Sequence, residues 1–170
     1  MGWSIRDAAV EDAMPVGEVH VASWRAAYGR LIPRAVLDAL DPAERAARWP
    51  EVLTAVDVAV VAEADGGGVI GFATAGRSRD DDAGPRVAEV GAIYVDEAWW
   101  RQGVGRALLA ACVERLAALG FEQATLWTLE ANMDARAFYE RLGWRADGAR
   151  DEYPTGDETR PVVRYRGWVA

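Results

Sequence analysis

Ala92-Ile93-Tyr94-Val95-Asp96-Glu97-Ala98-Trp99-Trp100-Arg101-Gln102-Gly103-Val104-Gly105-Arg106-Ala107-Leu108-Leu109 is the stretch on which the reading of this chain turns. An apolar, β-rich run ends at Asp96, a turn carrying Gly103 and Gly105 follows, and a helical pattern then begins. Such a turn aims unpaired backbone N–H groups and the positive end of a helix dipole at one point, where a phosphate can sit. The segment contains no Gly-x-Gly-x-x-Gly run, so a Rossmann dinucleotide site fits poorly. All nineteen basic residues are arginine, which removes the lysine a P-loop or a Schiff base needs.

Downstream, a helical run over 105–119 closes at Gly120 and a strand over 121–129 returns, giving a strand, helix, strand crossover. Asn132 caps a further helix that Gly143 ends, and strands fit 144–148 and 161–169. Upstream, residues 3–6 form an opening strand and Pro15 suits the first turn of a helix to about residue 28. Asp41-Pro42-Ala43-Glu44 starts a second helix that Pro50 helps to stop. The β-rich runs 58–62 and 69–75 flank Asp65-Gly66-Gly67-Gly68 as a hairpin, and residues 86–95 form the next strand. The loop between these last two strands, with Asp80-Asp81-Asp82, reads as solvated and mobile. This order implies an α/β chain with a mixed sheet and helices on both faces.

Composition bounds the function. At 170 residues the chain fits one domain spanning 1–170, and no apolar run approaches the roughly 18 residues of a membrane span. The N-terminus is too short and polar for a secretory signal core, so a cytoplasmic location is expected. One cysteine, Cys112, and one histidine, His20, leave no multidentate metal site, and no metal is expected. A net charge of −8 argues against a nucleic-acid partner and slightly favours a cationic substrate.

The window Trp100-Arg101-Gln102-Gly103-Val104-Gly105, followed about thirty residues later by Asn132-Met133-Asp134-Ala135-Arg136-Ala137-Phe138-Tyr139-Glu140-Arg141-Leu142-Gly143-Trp144, resembles the two signature segments of the GNAT superfamily of acyl-CoA-dependent N-acetyltransferases. The first departs from the family pattern at one place: Trp100 stands where arginine or glutamine is usual, and Arg101 is shifted by one. Because the family grips the pyrophosphate through backbone amides, this alters the rim more than the cradle. The resemblance implies a twisted, mostly antiparallel sheet of about seven strands whose fourth and fifth strands splay apart, with helices on both faces.

By position, the resemblance implies that Ile93, Tyr94 and Val95 pair with the pantetheine arm of acetyl-CoA, that Arg101, Gln102, Gly103, Val104, Gly105 and Arg106 surround the pyrophosphate, and that Asn132 and Phe138 stand beside the pantetheine. Tyr139 matches the general acid. A phenol of pKa about 10 can protonate the departing thiolate, which phenylalanine could not. Glu89 is the candidate general base, with an edge carboxylate paired to arginine as its bland reading. Of Trp24 and Tyr28, one is expected in the core and the other on the wall of the substrate pocket. The expected partner is a small-molecule primary amine, with a peptide N-terminus or a non-catalytic acyl-CoA sensor as alternatives. By analogy, the arginine-rich final strand could join a homodimer.

Overall fold

The computed structural model describes residues 2–169. The strands are β1 (Trp3–Asp7), β2 (Val58–Ala64), β3 (Val69–Arg77), β4 (Val87–Val95), β5 (Gln123–Leu129), β6 (Arg145–Thr155) and β7 (Glu158–Trp168). The α-helices are α1 (Ala13–Tyr28), α2 (Arg34–Asp38), α3 (Pro42–Ala47), α4 (Trp49–Ala55), α5 (Val104–Ala118) and α6 (Met133–Arg141). All seven strands form one sheet in the order β1-β2-β3-β4-β5-β7-β6, in which β4 and β5 are the parallel pair and every other neighbour is antiparallel. Among the described residues no helix is long and apolar enough to cross a membrane.

Helix α5 earns its place by burying Val104, Leu108, Cys112 and Leu116, one stripe at helical spacing, against Val60, Ala73 and Val90 of the sheet. Full burial of each large aliphatic side chain contributes roughly 1.5–3 kcal/mol. On the opposite face Val16 and Val19 of α1 pack with Phe72 of β3 and Trp49 of α4. Gly17 lets α3 cross α1 closely, since a Cβ there would lie 2.3 Å from the Pro42 carbonyl oxygen. The helices thus cover both faces, as the element order implied.

Three segments differ from expectation. Pro50 does not end a helix; it occupies the first turn of α4, where its missing N–H costs nothing. The short helix α2 lies in a stretch to which the sequence pattern assigned no element. Strand β6 runs eleven residues rather than five, because its side chains are exposed along nearly its whole length and carry no alternating apolar signal.

The sheet opens at one point. Strands β4 and β5 pair only at Val87↔Gln123, Ala88↔Ala124 and Glu89↔Thr125. Beyond that, β5 stays with β7 as far as Leu129↔Val162 while β4 stays with β3 as far as Val95↔Gly71, so the two diverge as a fork. A bulge marks the same place: Thr74 opposes Ala92 and Ala75 opposes Val90, leaving Gly91 unmatched.

Candidate functional site

A cleft of about 890 Å³ runs from this fork to the N-terminus of α5. Ile93, Tyr94 and Val95 line one side, and Thr128, Phe138 and Tyr139 the other. Arg101, Gly103, Gly105 and Arg106 line the mouth, together with Asn132.

The mouth is a cradle of backbone. Gly103, the residue before α5, has φ +86°, and Arg101 has φ +61°, the one non-glycine residue in the left-handed region among those described. Left-handed residues in such a turn point successive amides to one side. Among the described residues no side chain caps α5, so its first-turn N–H groups remain available to an anion. The strained Arg101 marks a loop whose shape is held from outside. Trp100 does that holding: its indole N–H donates to the Val95 carbonyl at 2.7 Å, folding the loop against the end of β4. Gln102 turns away from the cleft and donates to Ala98 O at 2.9 Å, while Val104 is buried in the core and offers only its amide.

Asn132 caps α6 by accepting from the Ala135 amide at 3.1 Å, leaving its side-chain NH2 as a donor beside the cleft. Phe138 packs over Gly105, where a Cβ would sit 3.5 Å from the ring. Tyr139 is buried, its ring held by Phe138 at 5.2 Å, Tyr165 at 6.0 Å and Trp144 at 6.4 Å. Burial, with a smaller contribution from Tyr94, raises its phenol pKa above the usual value and keeps it protonated.

Tyr28 lines the cleft and Trp24 does not, which separates the two α1 aromatics. Trp24 stands edge-on to Tyr28 at 5.1 Å, and its buried indole nitrogen has no hydrogen-bond partner among the described residues. His20, one turn earlier, stacks on Tyr94 at 5.0 Å. Burial, then the positive charge of Arg45, pushes the His20 pKa down to about 4 from 6.5. The neutral ring is thereby favoured in the folded state. Stability linked to it is complete above pH 6.5 and is lost as the pH falls toward 4, because the unfolded chain takes up the proton first. Denaturant titrations should show a loss on the order of 3 kcal/mol across that window, and His20→Gln should abolish the part between pH 6.5 and 5, where carboxylates stay ionised.

Glu89 is not on the cleft wall. Its carboxylate accepts from Arg79 Nη2 at 3.3 Å and from the Arg79 backbone amide at 3.4 Å, so in this state it is the arginine-paired carboxylate of its alternative reading. The aspartates of the same loop also depart from expectation. Asp80 Oδ1 accepts from the Trp127 indole at 2.9 Å, and its Oδ2 accepts from Thr125 Oγ1 at 3.1 Å and Arg164 Nη1 at 3.0 Å. Asp82 takes Arg164 in a two-pronged pair at 2.6 and 2.7 Å. Arg164 itself is 5% exposed and also donates to Asp147 at 2.8 Å. The final strand's arginines therefore turn inward, since Arg166 binds Asp147 as well. Nothing local in the sequence marks this cluster, because Arg164 lies 17 to 84 residues from its three carboxylates.

A mixed sheet forked at its one parallel pair, with an uncapped helix N-terminus facing the fork, defines an α/β protein built to take an extended ligand between two strands. Comparison places it further. The Acetyltransferase (GNAT) family matches residues 21–144. The uncharacterized N-acetyltransferase YuaI of Bacillus subtilis is 37% identical over 129 residues, covering 76% of this chain and 73% of that protein. The phosphinothricin acetyltransferase (Pat) of Sinorhizobium meliloti, in complex with AcCoA, superposes with TM-score 0.74 at 24% identity over 99% of this chain and 89% of that one. The PaiA N-acetyltransferase of Thermoplasma acidophilum, in complex with coenzyme A, gives TM-score 0.75 at 18% identity over 96% and 98%. The chain belongs to the GNAT family of acetyltransferases and is an acetyl-transferring enzyme.

Proposed function

We propose that the enzyme transfers the acetyl group of acetyl-CoA to a primary amine of a small molecule by direct attack. The observation that carries this reading is the cleft itself: an uncapped α5 N-terminus at its mouth, the free edge of β4 along its wall, and the Tyr139 phenol buried beside it. The residues fit the donor chemically. Amides of 103–106 and the side chains of Arg101 and Arg106 would hold the pyrophosphate, the β4 edge would pair with the pantetheine amides, and the Asn132 NH2 would add a donor.

In the reaction the amine lone pair forms a bond to the thioester carbonyl carbon, and the C–S bond then breaks. The sulfur takes the Tyr139 proton, and the proton released by the nitrogen restores the phenol through a carboxylate or solvent. Glu89 would serve as that carboxylate once Arg79 releases it. Gly91, unmatched at the bulge and lining the cleft, is the backbone position suited to steady the carbonyl oxygen as it gains charge. Tyr28 would line the acceptor side. Supporting an amine acceptor is the Tyr28 ring on the cleft wall, backed by Trp24 edge-on at 5.1 Å.

Thermal shift tests the donor. Acetyl-CoA and CoA should stabilise the protein by several degrees at saturating concentration, whereas ATP and NAD should not. Gly103→Glu puts a carboxylate into the cradle at a left-handed position and should abolish the shift with both coenzyme A ligands. An unchanged melting temperature of the wild-type protein with both would sink the donor assignment.

A further inference from the structure

The closed end of the cleft is built by residues that the chemistry above does not use. Strands β4 and β5 last pair at Glu89↔Thr125, so Val90 and Leu126 are the first cleft residues past the fork and Trp127 comes next. A donor whose pyrophosphate lies at the α5 N-terminus, at the other end, has its thioester directed toward this fork. Its acyl group must therefore end against the fork residues.

Trp127 is held there from two directions. Its indole N–H donates to Asp80, and the Arg164 guanidinium lies over the ring, 5.6 Å from the centroid. The same Asp80 carboxylate accepts from Thr125 Oγ1, the β5 residue of the last fork pair, and Thr125 Oγ1 also reaches the Ala88 carbonyl of β4 at 3.3 Å. One half-buried carboxylate on the β3–β4 loop therefore grips both the crotch of the fork and the wall just above it. A tryptophan without these contacts could change rotamer to make room; one tied through its N–H and stacked on a buried guanidinium cannot do so without breaking its bond to Asp80 Oδ1 and giving up the contact with Arg164.

We infer that Asp80 is a positioning residue that locks Trp127 across the end of the acyl pocket and so restricts the donor to short acyl groups. The inference rests on the donor reading given above. In a rigid apolar pocket each additional methylene is discriminated by roughly 10- to 200-fold, and that discrimination disappears when the wall can yield.

Asp82 supplies the control. It pairs with the same Arg164 yet touches neither Trp127 nor Thr125. Kd values for CoA, acetyl-CoA and butyryl-CoA, measured by calorimetry, require no amine. The wild-type protein and Asp82→Asn should both favour acetyl-CoA over butyryl-CoA, whereas Asp80→Asn should lower that preference about tenfold while CoA binds as before. Trp127→Phe, which keeps an apolar ring without the N–H, should lower it similarly and serves if Asp80→Asn does not fold. An unaltered preference in both Asp80→Asn and Trp127→Phe, or an equal loss in Asp82→Asn, would overturn the inference while leaving the donor reading intact. Failure of the wild-type protein to bind CoA at all would remove the donor reading and the inference with it.

Discussion

Tyr139→Phe should lower kcat for acetyl transfer by roughly 100-fold or more, with the acetyl-CoA thermal shift and the melting temperature of the free enzyme nearly unchanged. The separation follows from where the ring and the hydroxyl stand. The ring is fixed by Phe138, Trp144 and Tyr165, contacts that phenylalanine retains. The residue lines the cleft, and loss of its hydroxyl removes the proton that the departing sulfur needs in the proposed reaction. Burial holds this phenol above its ordinary pKa, so in the wild-type enzyme it remains protonated at the alkaline pH where amines become free bases. The rate of the wild-type enzyme should therefore rise with pH as the amine loses its proton, without a falling limb below pH about 10. A Phe variant within twofold of wild type in single-turnover acetyl transfer would show that the proton comes from elsewhere.

The parts of this arrangement that were legible in the sequence are those encoded within a few residues of each other. Gly103 before an apolar helical run, Asn132 three residues before the Ala135 amide it caps, and Gly120 and Gly143 at helix ends are local signals, and each stands where its conformation requires it. The α5 stripe showed in its spacing. The fork did not show in the residues of its strands, which give no sign of where their pairing stops; it was expected only through the family resemblance, and the structure has it between β4 and β5. Trp24 and Tyr28 share a helix face one turn apart, and only the tertiary packing of α1 shows that Tyr28 is the one on the cleft. The acidic loop misled for a physical reason: three consecutive aspartates read as solvated, yet Arg164, more than eighty residues later, pairs with two of them and draws Asp80 inward, while Asp82 stays exposed. Glu89 illustrates the same limit, because its arginine comes from that loop rather than from its own strand.

Arg164→Met should cost about 3–5 kcal/mol, the penalty for removing one partner of a buried ion pair and leaving the other charge uncompensated. For a chain of this size that corresponds to a melting temperature lower by roughly 10 °C. The side chain is 6% exposed and faces three carboxylates from two segments: Asp80 and Asp82 from the β3–β4 loop and Asp147 from β6. Methionine fills the volume but leaves these carboxylates facing one another. The pH dependence distinguishes this from a packing defect. In the wild-type protein the guanidinium lowers the pKa of Asp82 to about 2; for Asp80 burial pushes upward, but the hydrogen bonds from Trp127, Arg164 and Thr125 together hold its pKa below the usual carboxylate value. Groups with depressed pKa stabilise the fold above the unfolded carboxylate value, near 4, and that stability is lost as the pH falls through the folded values. In Arg164→Met the same carboxylates repel, their pKa values rise, and protonation relieves the repulsion. The stability gap between wild type and variant should therefore be widest at pH 7 and shrink steadily below pH 5. Chemical denaturation of both proteins from pH 7 to pH 3 measures it, and a gap independent of pH would mean that Arg164 acts through its packing on Trp127 rather than its charge.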